Sequence, residues 1–128
     1  MGTTDPVEVA LAFTKAINSH DPDRLVALAT DNHTLVDALG QSVSGRDAVG
    51  KAWRAYFELF PDYRVTVDSA LGEGGVAGLF GHASGSFHRR NWTIPAAWRA
   101  VIKRGKVREW RVYADNEPVW KLLGVKRY

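Results

Sequence analysis

Cysteine is absent from all 128 residues, which rules out disulfides, thiol nucleophiles and thiolate metal sites together. Long hydrophobic runs are missing too. The apolar stretches are short and interrupted by Gly, Lys or Arg, so none approaches the roughly twenty residues a membrane-spanning helix requires. The opening MGTTDPVEVALAF has no basic segment leading into an apolar core, so no secretory signal is expected and a cytoplasmic location is. Nor is there a strong charge of one sign. Seventeen basic residues against fourteen acidic ones leave a net charge of +3. That excess gathers at Arg89-Arg90, at Lys103-Arg104-Gly105-Lys106 and at Lys126-Arg127. A nucleic-acid binder would interleave a basic stripe with exposed aromatics, whereas these clusters read as solvated turns and a solvated tail. His20, His33, His82 and His88 have no metal-ligand spacing. Gly72-Glu73-Gly74-Gly75 lacks the Lys-Ser/Thr and the helix of a phosphate loop, and no serine sits in a nucleophile-elbow context. Neither a metal nor a cofactor is expected, and neither a nucleic acid nor a membrane as partner.

What remains is an ordinary globular composition, 45% hydrophobic and 24% charged, long enough for one domain spanning 1–128 with its own core. Helices come first. Asp5-Pro6-Val7-Glu8 offers a capping carboxylate, then a proline where no N–H is needed, then an acid in the first turn. Val7, Ala10, Leu11, Thr14 and Ile17 follow at helical spacing, with Phe13 widening the stripe. Asp21-Pro22 repeats the start signal for a short second helix carrying Leu25, Leu28 and Ala29, and His20 falls in the corner between the two. Residues 32–43 read as a short strand, a turn at Gly40 and another extended piece. Ser44, with Asp47 at the capping-box position, is expected to cap a third helix whose apolar face holds Val49, Ala52, Trp53, Tyr56, Phe57 and Phe60. Pro61 stops it.

Beyond Pro61 the period changes from helical to alternating. Tyr63, Val65, Val67, Ser69 and Leu71 alternate with Arg64, Thr66, Asp68 and Ala70, Gly72–Gly75 turns the chain, and strands are expected over Val76–Phe87, Trp92–Ile102 and Val107–Asp115. Gly78, Gly81, Gly85 and Pro95 inside them suggest bulges or bends. Pro118 opens a last helical turn through Leu122-Leu123. Helices followed by a meander of long strands give an α+β fold: three N-terminal helices packed on a strongly curved antiparallel sheet.

This order of elements resembles the nuclear transport factor 2-like superfamily, and several local words are similar to its SnoaL-like branch. They are Gly105-Lys106-Val107-Arg108-Glu109-Trp110-Arg111-Val112-Tyr113-Ala114-Asp115, the following Pro118-Val119-Trp120-Lys121-Leu122-Leu123-Gly124, and Phe60-Pro61-Asp62-Tyr63 at the exit of the third helix. The resemblance implies a cone-shaped domain, often dimeric, with a mostly apolar pocket between sheet and helices. Ketosteroid isomerases, polyketide cyclases and epoxide hydrolases share that scaffold, so the fold alone does not give the function.

Compared position by position, the resemblance leaves few catalytic groups. His33-Thr34-Leu35-Val36-Asp37-Ala38-Leu39-Gly40 resembles the segment that holds the general-base aspartate of the isomerases, which nominates Asp37. A carboxylate on an apolar wall is a sensible base, although an aspartate just before a glycine also caps turns routinely. The isomerase oxyanion tyrosine falls at Phe13, which donates nothing. Its protonated aspartate falls near Ala97 or Trp98, and no acid occurs between Phe87 and Ile102. Loss of those donors removes what is usually the largest catalytic contribution. The cyclase and epoxide-hydrolase carboxylate falls at Val112, and the Arg-x-Asp pair of the hydrolases falls at Phe80-Gly81-His82, which leaves His82 as a second catalytic candidate or a structural histidine.

Phe13, His33, Trp53, Phe57, Ala97, Arg99, Trp110 and Val112 are the positions this alignment turns towards a ligand. A two-residue loop at Arg104-Gly105 would pair Arg99 with Trp110 and Ala97 with Val112 inside, and Trp98 with Arg111 and Ala96 with Tyr113 outside. The shared parity of Trp92, Ile94, Trp98 and Ile102 favours the opposite faces. An outward cluster of Trp98, Arg111 and Tyr113 would suit a homodimer. Two functions stay open: a binder of a small hydrophobic carbonyl compound that transfers protons (isomerisation or aldol-type cyclisation) through Asp37 with His82 or His33, and a non-catalytic ligand-binding or dimerisation module.

Overall fold

The computed structural model describes residues 4–115 and 117–124, apart from the side chain of Trp120; Lys126 and Arg127 lie outside the described residues. Three helices precede most of the sheet: α1 (Pro6–Asn18), α2 (Pro22–Ala27) and α3 (Arg46–Leu59), with β1 (Ala29–Val36) and β2 (Ser42–Ser44) between the last two. Then come β3 (Arg64–Glu73), β4 (Val76–Phe87), β5 (Arg90–Lys103), β6 (Lys106–Ala114) and a final helix, α4 (Glu117–Leu123). The helix starts follow their capping chemistry. Asp5 accepts from the N–H groups of Val7 and Glu8 at 2.9 and 3.3 Å, and Asp21 accepts from Arg24 at 3.2 Å. Helix α3 departs from expectation. Its N-cap is Gly45 at φ 90°, not Ser44, and no side chain caps it. The Gly45 N–H turns back to the His33 carbonyl at 2.9 Å, so the turn into α3 is tied to β1 by its backbone.

The six strands form one sheet in the order β2-β1-β6-β5-β4-β3. It is mixed rather than antiparallel, because β1 runs parallel to β6. The expectation failed here because adjacency was read from chain order. β1 pairs with the last strand, and the whole chain between them serves as the crossover that parallel strands need.

That parallel ladder is broken. Ala29 pairs with Val107 and Thr34 with Glu109, so five steps along β1 (29 to 34) match two along β6 (107 to 109). A gap of this kind strands backbone groups, and here specific side chains take them up. The His33 ring is fully buried, and its Nδ1–H donates to the Val107 carbonyl at 2.7 Å. Arg46 donates to the Ala29 carbonyl through Nε and Nη2 at 3.2 and 2.8 Å, and its Nη1 meets Asp31 at 3.1 Å. His33, offered by the sequence as a ligand contact, is therefore the plug of a sheet defect.

A second irregularity sets which face of the last hairpin looks inward. The loop is indeed the two residues Arg104-Gly105, with Lys103 opposite Lys106, but Arg108 is an extra residue. Ile102 pairs with Val107 and Val101 with Glu109. The expected partners therefore slip by one: Trp98 faces Val112, Ala100 faces Trp110, Arg99 faces Arg111 and Ala97 faces Tyr113. Trp98 and Trp110 are both buried, at 2% and 0% exposure, while Arg99 is exposed and pairs with Glu109 at 2.8 Å. Trp98 thus belongs to the core and not to an outer cluster, and Ala97 and Arg99 point away from it. The core joins α1 to this inner face, with Phe13 packed 4.8 Å from Trp110 and Trp98 stacked on Trp110 at 6.4 Å. Pro95 costs no ladder bond to β6, since β5–β6 pairing begins at Ala96. The other bulge residue, Asp68, lies where β3 passes Gly81.

Three successive hairpins turn on two residues of positive φ: Gly74-Gly75 at 57° and 80°, His88-Arg89 at 50° and 66°, and Arg104-Gly105 at 54° and 77°. Such turns match the twist of the strands, but a side chain in the left-handed region costs about 1–2 kcal/mol. His88-Arg89 bears that cost at both positions. We predict that the double substitution His88→Asn, Arg89→Gly stabilises the domain by about 1 kcal/mol or more, a melting temperature higher by a few degrees. An unchanged or lower melting temperature would show that the His88 ring, 4.2 Å from that of Phe87, contributes more than the strain removes.

A second prediction follows from His33. Burial lowers its pKa below 6.5 and outweighs the opposing effects of the Val107 carbonyl and Glu109. The unfolded chain then takes up a proton before the folded one. Stability is complete above about pH 6.5 and falls as pH drops towards the folded-state pKa, by up to about 1.4 kcal/mol per pH unit. His33→Asn, which can still donate to Val107 but does not titrate, should flatten the profile between pH 7 and 5. Parallel profiles in chemical denaturation would refute this account.

Candidate functional site

The inner face of the sheet is not filled completely. A cavity of about 360 Å³ lies between it, α3 and the β1–β2 turn. Helical spacing brings Ala52, Trp53 and Tyr56 to it from α3, and Tyr63 follows at the α3–β3 junction. The strand period brings Trp92, Ile94, Ala96 and Trp98 from β5, with Val112 and Ala114 from β6. The volume comes from mismatched sizes. Ala52, Ala83, Ala96 and Ala114 stand where a large aliphatic side chain would close the space between the rings. On β4, opposite Trp92, stands Gly85; a Cβ there would come within 2.7 Å of the Trp92 ring, so that ring keeps its place only over a glycine.

The polar character of the lining is narrow. Among the described residues it contains no Lys, Arg or His, and one carboxylate, Asp37, at the rim beside Gln41 and Ser42. The exposed state of those three residues marks the side on which the cavity opens. Asp37 is held by its own turn. Its Oδ1 accepts from the N–H groups of Leu39 and Gln41, each at 2.9 Å, while its backbone N–H donates to the Gln41 carbonyl at 2.9 Å. This is the arrangement of a turn cap, reached by a residue that also touches the cavity.

Deeper in, Tyr56 and Tyr63 meet edge to face at 4.8 Å. Neither phenol hydroxyl makes a hydrogen bond to another described residue, and neither oxygen is sealed off as the indole nitrogens of Trp53 and Trp92 are. Burial raises the pKa of both phenols, and Tyr56 adds to the rise at Tyr63 by its proximity. Tyr63 is fixed from behind: His20 Nε2 donates to its carbonyl at 2.6 Å, and the His20 ring stacks on Phe57 at 4.3 Å.

Of the positions nominated by the sequence, Asp37, Trp53 and Val112 line this cavity. Phe13, His33 and Trp110 pack together in the core behind it, with Phe13 and His33 rings 5.8 Å apart. Phe57 is the support for His20. His82 lies on the opposite face of the sheet, 4.0 Å from Asp68, and Ala97 and Arg99 share that face. The lining residues that sequence reasoning passed over are Tyr56, Tyr63, Trp92 and Trp98. Their signals were visible as core signals: Tyr56 on the α3 stripe, Tyr63 in Phe60-Pro61-Asp62-Tyr63, and the two tryptophans in the parity of β5. Among the described residues, no group of three or more His, Asp or Glu side chains is placed to hold a metal ion, and no helix is long and apolar enough to cross a membrane.

Comparison with known proteins agrees with this architecture. A protein with a ketosteroid isomerase-like fold from Catenulispora acidiphila DSM 44928, solved in complex with trimethylamine, superposes with a TM-score of 0.83 at 19% identity, covering 93% of this chain and 94% of that one. A provisionally assigned SnoaL-like polyketide cyclase from Jannaschia sp. CCS1 gives 0.83 at 19% identity over 99% and 96% of the two chains. An NTF2-like protein of unknown function from Cytophaga hutchinsonii ATCC 33406 gives 0.76 at 18% over 94% and 96%. At such identities the likeness is one of fold. No curated protein matches the sequence. Residues 10–110, by contrast, match the family model of the SnoaL-like domain, and the chain belongs to that family.

Proposed function

We propose that this chain binds a compact, largely apolar carbonyl compound in the cavity beneath α3, and that binding rather than turnover is its principal activity. The observation that carries the reading is the cavity itself. Its roughly 360 Å³ sits at the low end of the range typical of small-molecule sites, about 300–1,000 Å³, and its wall is aromatic and aliphatic with a few polar groups. The trimethylamine complex of the Catenulispora relative supports a small-molecule role for the scaffold.

The second reading, proton transfer during isomerisation or aldol-type cyclisation, is favoured by one fact: Asp37 is the carboxylate of the lining. Against it, both hydrogen bonds to Asp37 Oδ1 hold the carboxylate in its turn, and His82 and His33 are not beside it to assist. Two variants test these readings together. Ala96→Leu adds bulk to the cavity wall and should abolish quenching of tryptophan fluorescence by 2-acetylnaphthalene without lowering the melting temperature. Undiminished quenching in that variant would mean that the probe sits elsewhere. Asp37→Asn keeps an oxygen for the turn, so the fold and the binding should persist. If solvent deuterium enters the ketone methyl group in the wild type and not in this variant, Asp37 is a base and the protein is an enzyme.

The reading includes a homodimer formed through the outer face of the sheet. Leu71, Phe80 and Tyr113 are 71%, 44% and 50% exposed there, and Phe80 and Tyr113 flank the small Ala97 in one cross-strand row. Large aromatics in such a row are unusual on a monomer and typical of an interface core. We predict that the wild type sediments as a dimer at micromolar concentration and that Phe80→Asp yields a folded monomer. A wild type that sediments as a monomer at hundreds of micromolar would remove the dimer.

A further inference from the structure

The geometry points to Tyr56 and Tyr63 as the polar anchor of the cavity, a pair of phenol donors that selects uncharged ring compounds bearing a hydrogen-bond-accepting oxygen. This rests on the reading of the cavity as a small-molecule site. The sequence comparison assigns no role to either residue, and the family's isomerase tyrosine falls instead at Phe13 on α1, which is buried behind the cavity.

A buried phenol hydroxyl normally finds a partner, because leaving it unmade costs about 1–3 kcal/mol. Here the two phenol rings meet edge to face at 4.8 Å, both line the cavity, and neither hydroxyl bonds to another described residue, so each is left for a partner from outside the protein. The other donors in the wall are in a different position. The Nε1 atoms of Trp53 and Trp92 are sealed, and the latter lies over Gly85, so both indoles offer ring carbon to the cavity. An anionic ligand would meet no Lys, Arg or His among the described lining residues and would lose its hydration without an ion pair there. Burial keeps both phenols protonated at neutral pH, so they remain donors and cannot serve as a base. What the wall can satisfy is an acceptor oxygen on a flat, apolar body, held between Trp53, Trp92 and Trp98. His20, through the Tyr63 carbonyl, sets the position of one phenol from outside the cavity.

Four probes of one shape separate the possibilities: 2-acetylnaphthalene, 2-ethylnaphthalene, 2-naphthoate and trimethyl(2-naphthyl)ammonium. They are titrated calorimetrically against the wild type and the double variant Tyr56→Phe, Tyr63→Phe. Because the lost hydroxyls bond to no described residue, the variant should fold as the wild type does. The expected result is that the ketone binds roughly three- to tenfold more tightly than the hydrocarbon, a margin set by one or two neutral hydrogen bonds. The double variant should erase that margin and leave hydrocarbon affinity within about twofold. The carbonyl stretch of bound ketone should shift to lower frequency in the wild type alone. Equal binding of ketone and hydrocarbon by both proteins overturns the phenol anchor while the cavity remains a binding site. Tightest binding of the ammonium probe, unaffected by the variant, replaces the anchor with an aromatic cage for cations. If none of the four binds, the anchor and the small-molecule reading fall together.

Discussion

Arg108 occupies a place that a regular hairpin does not have. By inserting itself between Val107 and Glu109, it brings Val107 and Trp110 to the same face and carries Val112 and Ala114 with them. Without it, β5 would present Trp92, Ile94 and Trp98 inward while β6 presented Glu109, Arg111 and Tyr113. Two buried arrays would then lie on opposite sides of one sheet, and a charged pair would be forced into the core. With it, Trp98 stacks on Trp110 and Phe13 can close over both. The wall of the cavity and the outer row of Phe80, Ala97 and Tyr113 both follow from that one extra residue.

The defect in the parallel ladder has a complementary effect at the other side of β6. It lets β1 bend away over residues 30–33, and the bend brings the His33 carbonyl to Gly45 and the Ala29 carbonyl to Arg46. Helix α3 is consequently anchored at its N-terminal end by hydrogen bonds rather than by a capping side chain. At the other end Tyr56, Phe60, Tyr63 and Trp92 hold it by ring contacts at 4.8 to 6.1 Å. The cavity lies beneath the helix between these two anchorages.

Much of this was legible in the sequence, and the exceptions have physical causes. Capping pairs such as Asp5-Pro6 and Asp21-Pro22 are local, so α1 and α2 could be placed from a few residues. The hydrophobic parity of β5 points to its observed face, but the resemblance, which set the expectation, turned Ala97 and Arg99 inward and failed there; on β6 it gave the observed face. The two conflicted only because a bulge between them leaves no mark in a pattern of apolar and polar residues. Long-range pairing was invisible for the same reason: nothing local says that β1 will lie beside β6. The site was half legible. Trp53 and Val112 could be found because they sit on strongly patterned elements. Tyr56 and Tyr63 could not be told from core aromatics, since what distinguishes them is four alanines, three of them on the distant strands β4, β5 and β6, that fail to fill the space beside them.

Those alanines leave the space beneath α3 unfilled. A core that is closed at both ends of α3 and open in the middle does not collapse readily, because the rings around the opening are braced by neighbours outside it: Trp98 by Trp110, Tyr63 by His20 on Phe57, and Trp92 by the gap at Gly85. Rigid walls around unfilled volume forfeit dispersion contacts that a ligand can restore. They also spare the ligand the cost of ordering the site. The β1–β2 turn, exposed and pinned by Asp37, forms the rim of the opening. An aspartate in that place, acting as a cap, holds the turn that borders an apolar opening in one conformation and puts a carboxylate at its edge.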